Sequence, residues 1–347
     1  MLFNQIDYVY FIFPFICLIC LILNKGSLFL LFYLIFFLGF SKVGPDYISY
    51  KSIFNQIENK VILNSIHGEI LFKKYMQLFI NLGLNYEAFR IFHICISLSF
   101  ICYFLFKLSN NRYYSLFMLY CGYILYICSV YRQFITMIFL FAGVYFIKKN
   151  KISYAILLNT IGIGFHISSI LQVIFFVFFK IKNIIKINKI LICYTIIICL
   201  LLRFLVGYSR DYIELFLTLF GRGNHFRFYV EELPTLSLPF GLLTRLIPLL
   251  FVLFYYKSKD NFEDKIFIMY VLSILLYILF PFEVIMGRLT NNGRILECIL
   301  VPSLINQQKK RINKIVIKFF IISYWILVLI FQLLRQNGYY PYINIFF

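Results

Sequence analysis

Apolar runs follow one another along the chain from residues 8–23 to residues 315–334, about twelve in all, parted by short polar gaps. Within each run the apolar positions are continuous. The strands of a membrane barrel instead alternate lipid-facing and lumen-facing residues, so a barrel is excluded. A bilayer offers backbone groups no water, so such runs must close their own hydrogen bonds as helices of about 20 residues, or as shorter ones sheltered inside a bundle. The pattern predicts an all-α fold: a polytopic transmembrane helical bundle of about twelve spans, some short or re-entrant. Runs 28–40, 167–179 and 294–305 fall short of a full span, as segments lining a polar cavity do.

Two longer polar stretches, 41–90 and 207–236, read as external loops of one integral membrane domain, 1–347. In the first, Tyr47, Tyr50, Phe54 and Ile57, then Leu71, Tyr75, Leu78 and Phe79, recur at helical spacing. This predicts amphipathic helices lying on the bundle or in the interface. Residues Met1 to Asp7 carry no positive charge and no small-residue cleavage site follows, so the first run is expected to stay as a helix.

Composition removes the soluble alternatives. Of 347 residues, 62% are apolar, 21% aromatic and 14% charged, too apolar for a soluble chain of this length. The nine cysteines lie inside apolar segments, where free Cys serves as packing. A net charge of +19 would point to nucleic acid in a soluble protein, but no nucleic-acid motif is present and topology accounts for half of the basic residues. Lysines fill alternate short loops, at Lys25, Lys107, Lys148 to Lys151, Lys180 to Lys189, Lys257 to Lys265 and Lys309 to Lys314. The positive-inside rule puts those loops in the cytoplasm and both termini outside.

Ten of the twelve arginines sit at or near the opposite ends of the runs, where that rule gives no reason for them; the expectation is an anion bound there. Arg132 and Gln133 open one run, and His166 with Ser168 marks the next outer hairpin. An arginine at this depth costs about 2.5–3.5 kcal/mol on insertion scales, so it usually faces a polar cavity. Asp46, in a turn before Tyr47 and Tyr50, is either a helix N-cap or an external carboxylate able to take a proton from a sugar hydroxyl. Arg210 lies among acidic neighbours that can pair with it. Arg288 and Arg294 flank Asn291-Asn292-Gly293, read as an outer turn, with Glu283 nearby and Glu297 at pairing distance from Arg294. No metal-ligand spacing and no phosphate-cradling glycine motif occurs, so neither a metal nor another cofactor is expected.

With these residues in place, the chain resembles the EpsG/Wzy-type polysaccharide polymerases over most of its length. The match runs through Gly44-Pro45-Asp46-Tyr47 with Tyr50, Glu69 and Tyr75, Arg132-Gln133, His166 with Ser168, a late Arg before an apolar run ending in Pro302, and Tyr340-Pro341-Tyr342. It departs where the family's late Arg is commonly followed four residues on by Tyr; Arg288 is followed by Asn292, which leaves Arg288 and Arg294 both open as its equivalent.

The resemblance implies a metal-independent glycosyltransferase of the bacterial cytoplasmic membrane, acting in O-antigen, capsule or exopolysaccharide synthesis with its active site outside. It would move the growing glycan from undecaprenyl pyrophosphate to the non-reducing end of another lipid-linked repeat unit. The implied partners are undecaprenyl-pyrophosphate-linked oligosaccharide, membrane lipid, a flippase and a chain-length regulator, with no nucleic acid. Arg132 and Arg288, with Arg210 or Arg294, would neutralise the pyrophosphate; His166, Asp46 or Glu283 would take the acceptor proton; Tyr47, Tyr50 and Gln133 would hold the sugar. A ligase using another acceptor shares this chemistry. A flippase should show two similar halves, which the sequence lacks.

Overall fold

In a computed structural model, the described residues are 9–40, 46–60, 69–181, 187–208, 238–258, 260–280 and 283–335, and their regular structure is helical throughout. The first two helices, α1 (Val9–Leu23) and α2 (Ser27–Gly39), are followed by the pair α3 (Tyr47–Glu58) and α4 (Ile70–Asn81). Then come α5 (Tyr86–Leu108), α6 (Arg112–Ser129), α7 (Tyr131–Lys148), the hairpin α8 (Ile152–Ile163) and α9 (Ser169–Ile181), and α10 (Lys189–Tyr208). The last group is α11 (Leu238–Tyr255), α12 (Asn261–Leu279), α13 (Glu283–Arg294), α14 (Glu297–Gln307) and α15 (Arg311–Arg335).

Helices α5 and α15 are each long and apolar enough to cross a bilayer; α1, α2, α8, α9 and Gly241–Tyr255 are apolar but shorter. Ile190, Leu191, Tyr194, Ile197, Ile198 and Leu201 stand exposed along one face of α10. Water does not tolerate a stripe of that extent, and hydrocarbon does, so this is a helical membrane protein.

The main core runs through α1, α2, α5, α6, α7, α12, α14 and α15. A smaller aromatic core joins α3 and α4 to the start of α5 and to Tyr131 of α7. This docks α3 and α4 on the end of the bundle where α7 begins. At the other end the short-loop lysines gather. Lys148 Nζ donates to the Lys107 carbonyl at 3.0 Å and stands 5.6 Å over the Phe262 ring. Lys189 Nζ donates to the Tyr256 carbonyl at 2.5 Å, and Lys265 lies over Phe179. The short-loop lysines Lys107, Lys148, Lys189 and Lys265 thus lie at the end of the bundle away from Arg132, whereas Lys51, Lys73 and Lys74 belong to α3 and α4 and Lys60 follows α3.

One expectation fails. Asn291-Asn292-Gly293 is no turn but the last turn of α13. Asn and Gly are poor helix formers, but tertiary packing overrides propensity here. Asn292 donates its amide to two neighbouring hydroxyls, and a Cβ on Gly293 would stand 2.6 Å from Ser273 Cβ of α12. Gly293→Ala is therefore expected to destabilise by about 1–3 kcal/mol through overpacking, read as a lower melting temperature in detergent. The double variant with Ser273→Gly removes the opposing atoms and should recover most of the loss.

Candidate functional site

Helix ends account for part of the arginine pattern. The last carbonyls of a helix lack intrahelical partners and carry the negative end of its dipole, so cations are favoured there. Arg90 donates to the Gly39 carbonyl at 2.9 Å and the Leu38 carbonyl at 3.5 Å, closing α2, and pairs with Glu87 at 3.2 Å. Arg203 closes α12 through the carbonyls of Tyr277, Ile278 and Phe280 at 3.0–3.3 Å.

Two more arginines belong to an interior network. Arg245 stacks 3.6 Å from the Tyr277 ring centre and donates to Asn291 Oδ1 at 3.2 Å. Arg294 stands 3.6 Å from Glu297, which also accepts from the Tyr123 hydroxyl at 2.9 Å, and donates to the Thr244 carbonyl at 3.2 Å. Expected to touch substrate, Arg294 is instead engaged by the carboxylate three residues on.

Arg132 and Arg288 meet different company. Arg132, at the first turn of α7, directs Nη1 to Glu69 Oε2 at 2.5 Å, while its Nε is buried without a hydrogen-bond partner. Its guanidinium lies 6.0 Å over Tyr50, whose ring stacks on Tyr131 at 4.8 Å. Asp46 occupies the N-cap position of α3, but its side chain makes no capping hydrogen bond. The carboxyl instead feels the charges of Arg288 and Arg132. His166, in the turn between α8 and α9, is under the influence of Glu69, Arg132 and Arg288. Asp46, Glu69, Arg132, His166 and Arg288 thus come from five separate segments to one place.

A buried hydrogen-bond relay fixes their order. Gln133, wholly buried, donates through Nε2 to the Arg288 carbonyl and so ties α7 to α13. Asn292 Nδ2 donates to Thr136 Oγ1 at 3.1 Å and to Ser168 Oγ at 3.0 Å. Ser168 Oγ lies 2.9 Å from His166 Nδ1, and the Ser168 N–H donates to that nitrogen at 3.2 Å. With Nδ1 accepting, the neutral ring carries its proton on Nε2 and offers a donor to its surroundings. Above the α8–α9 tip, the Leu71 N–H donates to the Gly164 carbonyl at 3.1 Å. Leu71 also packs where a Gly164 Cβ would be, which holds the start of α4, and so Glu69, over the histidine turn.

The electrostatics of Asp46, Glu69 and His166 differ. Burial raises the Asp46 carboxyl above its ordinary value, partly offset by Arg288 and Arg132. Burial would raise Glu69 too, but the Arg132 charge, His166 and the hydrogen bonds from the backbone and Arg132 together outweigh it and hold that carboxyl low, hence ionised. Burial lowers His166 to about 4; Glu69 opposes this and the arginines add to it, so the ring is neutral near pH 7.

Other residues picked out by the sequence are placed elsewhere. Tyr50 is buried in the aromatic core, and Tyr47 gives its hydroxyl to Glu87 and packs on Tyr86 and Arg90. Tyr50 is therefore no open stacking platform, because rings at helical spacing on an amphipathic helix bury one another, whereas Tyr47 stays partly exposed. Arg210 and the side chain of Glu283 lie outside the described residues. Sequence reasoning gave Glu69 no role and missed Thr136 and Asn292; the only signal was Asn292 standing where the family pattern has Tyr. That residue now supports Arg288 as the late arginine of the pattern, since the relay joins the α13 segment bearing Arg288 to the cluster.

No curated protein and no solved structure matches the chain. The model of the EpsG family matches residues 25–344, which takes in all five clustered residues. The chain belongs to the EpsG family.

Proposed function

We propose that this protein polymerises lipid-linked oligosaccharide repeat units at the outer face of the bacterial cytoplasmic membrane. EpsG family membership supports a polysaccharide polymerase-like role in general. The observation that carries the finer reading is the meeting of Arg132 and Arg288 with Asp46 and His166 at the end of the bundle opposite the short-loop lysines Lys107, Lys148, Lys189 and Lys265. Lysine-bearing ends face the cytoplasm by the positive-inside rule, which puts the cluster outside.

In this reading the glycan is held on undecaprenyl diphosphate. The acceptor hydroxyl oxygen attacks the anomeric carbon as the bond from that carbon to the diphosphate oxygen breaks. The bonding pair leaves with the diphosphate, whose growing charge Arg132 and Arg288 stabilise; a guanidinium presents donors in a fixed fork suited to phosphate. The acceptor proton passes to a carboxylate. Asp46 fits better than His166, because the histidine's Nδ1 lone pair is already committed to Ser168 and its other nitrogen carries a proton. A carboxyl raised by burial is also a stronger base than a free one. His166 then serves as a neutral donor to a sugar or phosphate oxygen.

The purified protein, reconstituted with its cell's lipid-linked repeat unit, is expected to make a ladder of chain lengths and release one undecaprenyl diphosphate per new bond. Movement of intact units across the bilayer without a ladder would make it a flippase. Transfer to a different acceptor with no ladder would make it a ligase.

A further inference from the structure

The Arg132–Glu69 pair differs from the interior pair of Arg294 and Glu297. Glu297 is wholly buried and holds a second partner in Tyr123. Arg132 and Glu69 keep 16% and 23% of their side chains exposed, and Arg132 spends one terminal nitrogen on the carboxylate and is hydrogen-bonded to Tyr50, while Nε has no hydrogen-bond partner. A pair reachable from water and held through one edge can exchange its anion. The backbone at Glu69 is fixed by the Leu71–Gly164 hydrogen bond and by the Lys73 N–H donating to the Glu69 carbonyl at 3.2 Å. Parting therefore needs only rotation of the Glu69 side chain. The tethered carboxylate stays within reach at high effective concentration. A carboxylate and a diphosphate cannot both sit on the same guanidinium edge, because like charges that close repel strongly.

We infer that Glu69 is a displaceable internal counter-ion of Arg132: it yields to the incoming lipid diphosphate and recaptures the guanidinium after transfer, driving off the spent undecaprenyl diphosphate. This rests on Arg132 being the diphosphate-binding group. Glu69 is in these terms a release residue. Its loss tightens binding instead of weakening it.

The test uses the full chain in lipid nanodiscs and inorganic pyrophosphate as the probe, with binding followed by calorimetry. Glu69→Gln keeps the volume and a polar contact to Arg132, and Glu69→Ala removes both. Each is expected to bind pyrophosphate about tenfold more tightly than the wild type, and Arg132→Ala to lose binding. In the ladder assay, Glu69→Gln should give a burst of first transfer followed by a slower steady phase limited by product release. Equal or weaker binding by both Glu69 variants, with binding still lost in Arg132→Ala, overturns the release role and leaves the polymerase reading standing. Wild-type binding in Arg132→Ala overturns the anion role of Arg132, and the release role with it.

Discussion

Cells carrying Arg132→Ala are expected to accumulate single lipid-linked repeat units and lose long chains, with normal amounts of the protein in the membrane fraction. A preorganised donor aimed at developing charge in a water-poor site is worth about 3–4 kcal/mol, a factor of about 10²–10³ in turnover. The fold should survive, because the carboxylate left behind, Glu69, keeps 23% of its side chain exposed and can be hydrated. Arg132→Lys restores the charge without the planar fork and should recover only part of the rate. Chain lengths unchanged in Arg132→Ala, measured by gel on cell extracts, would remove this residue from the chemistry.

Asp46→Asn should lower turnover by about 10²–10⁴, the usual contribution of a general base. The change is isosteric, and Asn is as good an N-cap residue as Asp, so α3 should form as before. The sign of the pH dependence follows from the raised carboxyl. The working form is ionised, so activity falls as pH drops through the Asp46 titration, which lies above the ordinary value of about 3.9. That acid limb should be missing from the residual activity of Asp46→Asn. His166, already neutral above about 4, adds no limb near neutrality. His166→Gln keeps a donor and should cost less than Asp46→Asn; the reverse order would transfer the base role to the histidine.

The arginine pattern was legible as a pattern and ambiguous as to cause. Ten arginines away from the lysine loops suggested a bound anion, but Arg90 and Arg203 close helix ends, and Arg245 and Arg294 stand in an interior network. A sequence displays charge and position, not which carbonyls a guanidinium will reach. Asp46 shows the same limit. Its place before a helix was readable, whereas the unused cap that turns its carboxyl toward Arg132 and Arg288 was not.

By itself the sequence determined the all-helical class and set the short-loop lysines apart from Arg132. A helix in lipid must satisfy its backbone within its own segment, so a run of apolar residues suffices to specify it. It did not determine α13, where two asparagines and a glycine are held helical by neighbours on α7, α11 and α12 and by Ser168 of the α8–α9 turn. Nor did it pair Arg132 with Glu69, 63 positions away, or Gln133 with the carbonyl of Arg288, 155 positions away. Those partners meet only through packing of helices remote in sequence, and so tertiary structure alone decided which charges face one another.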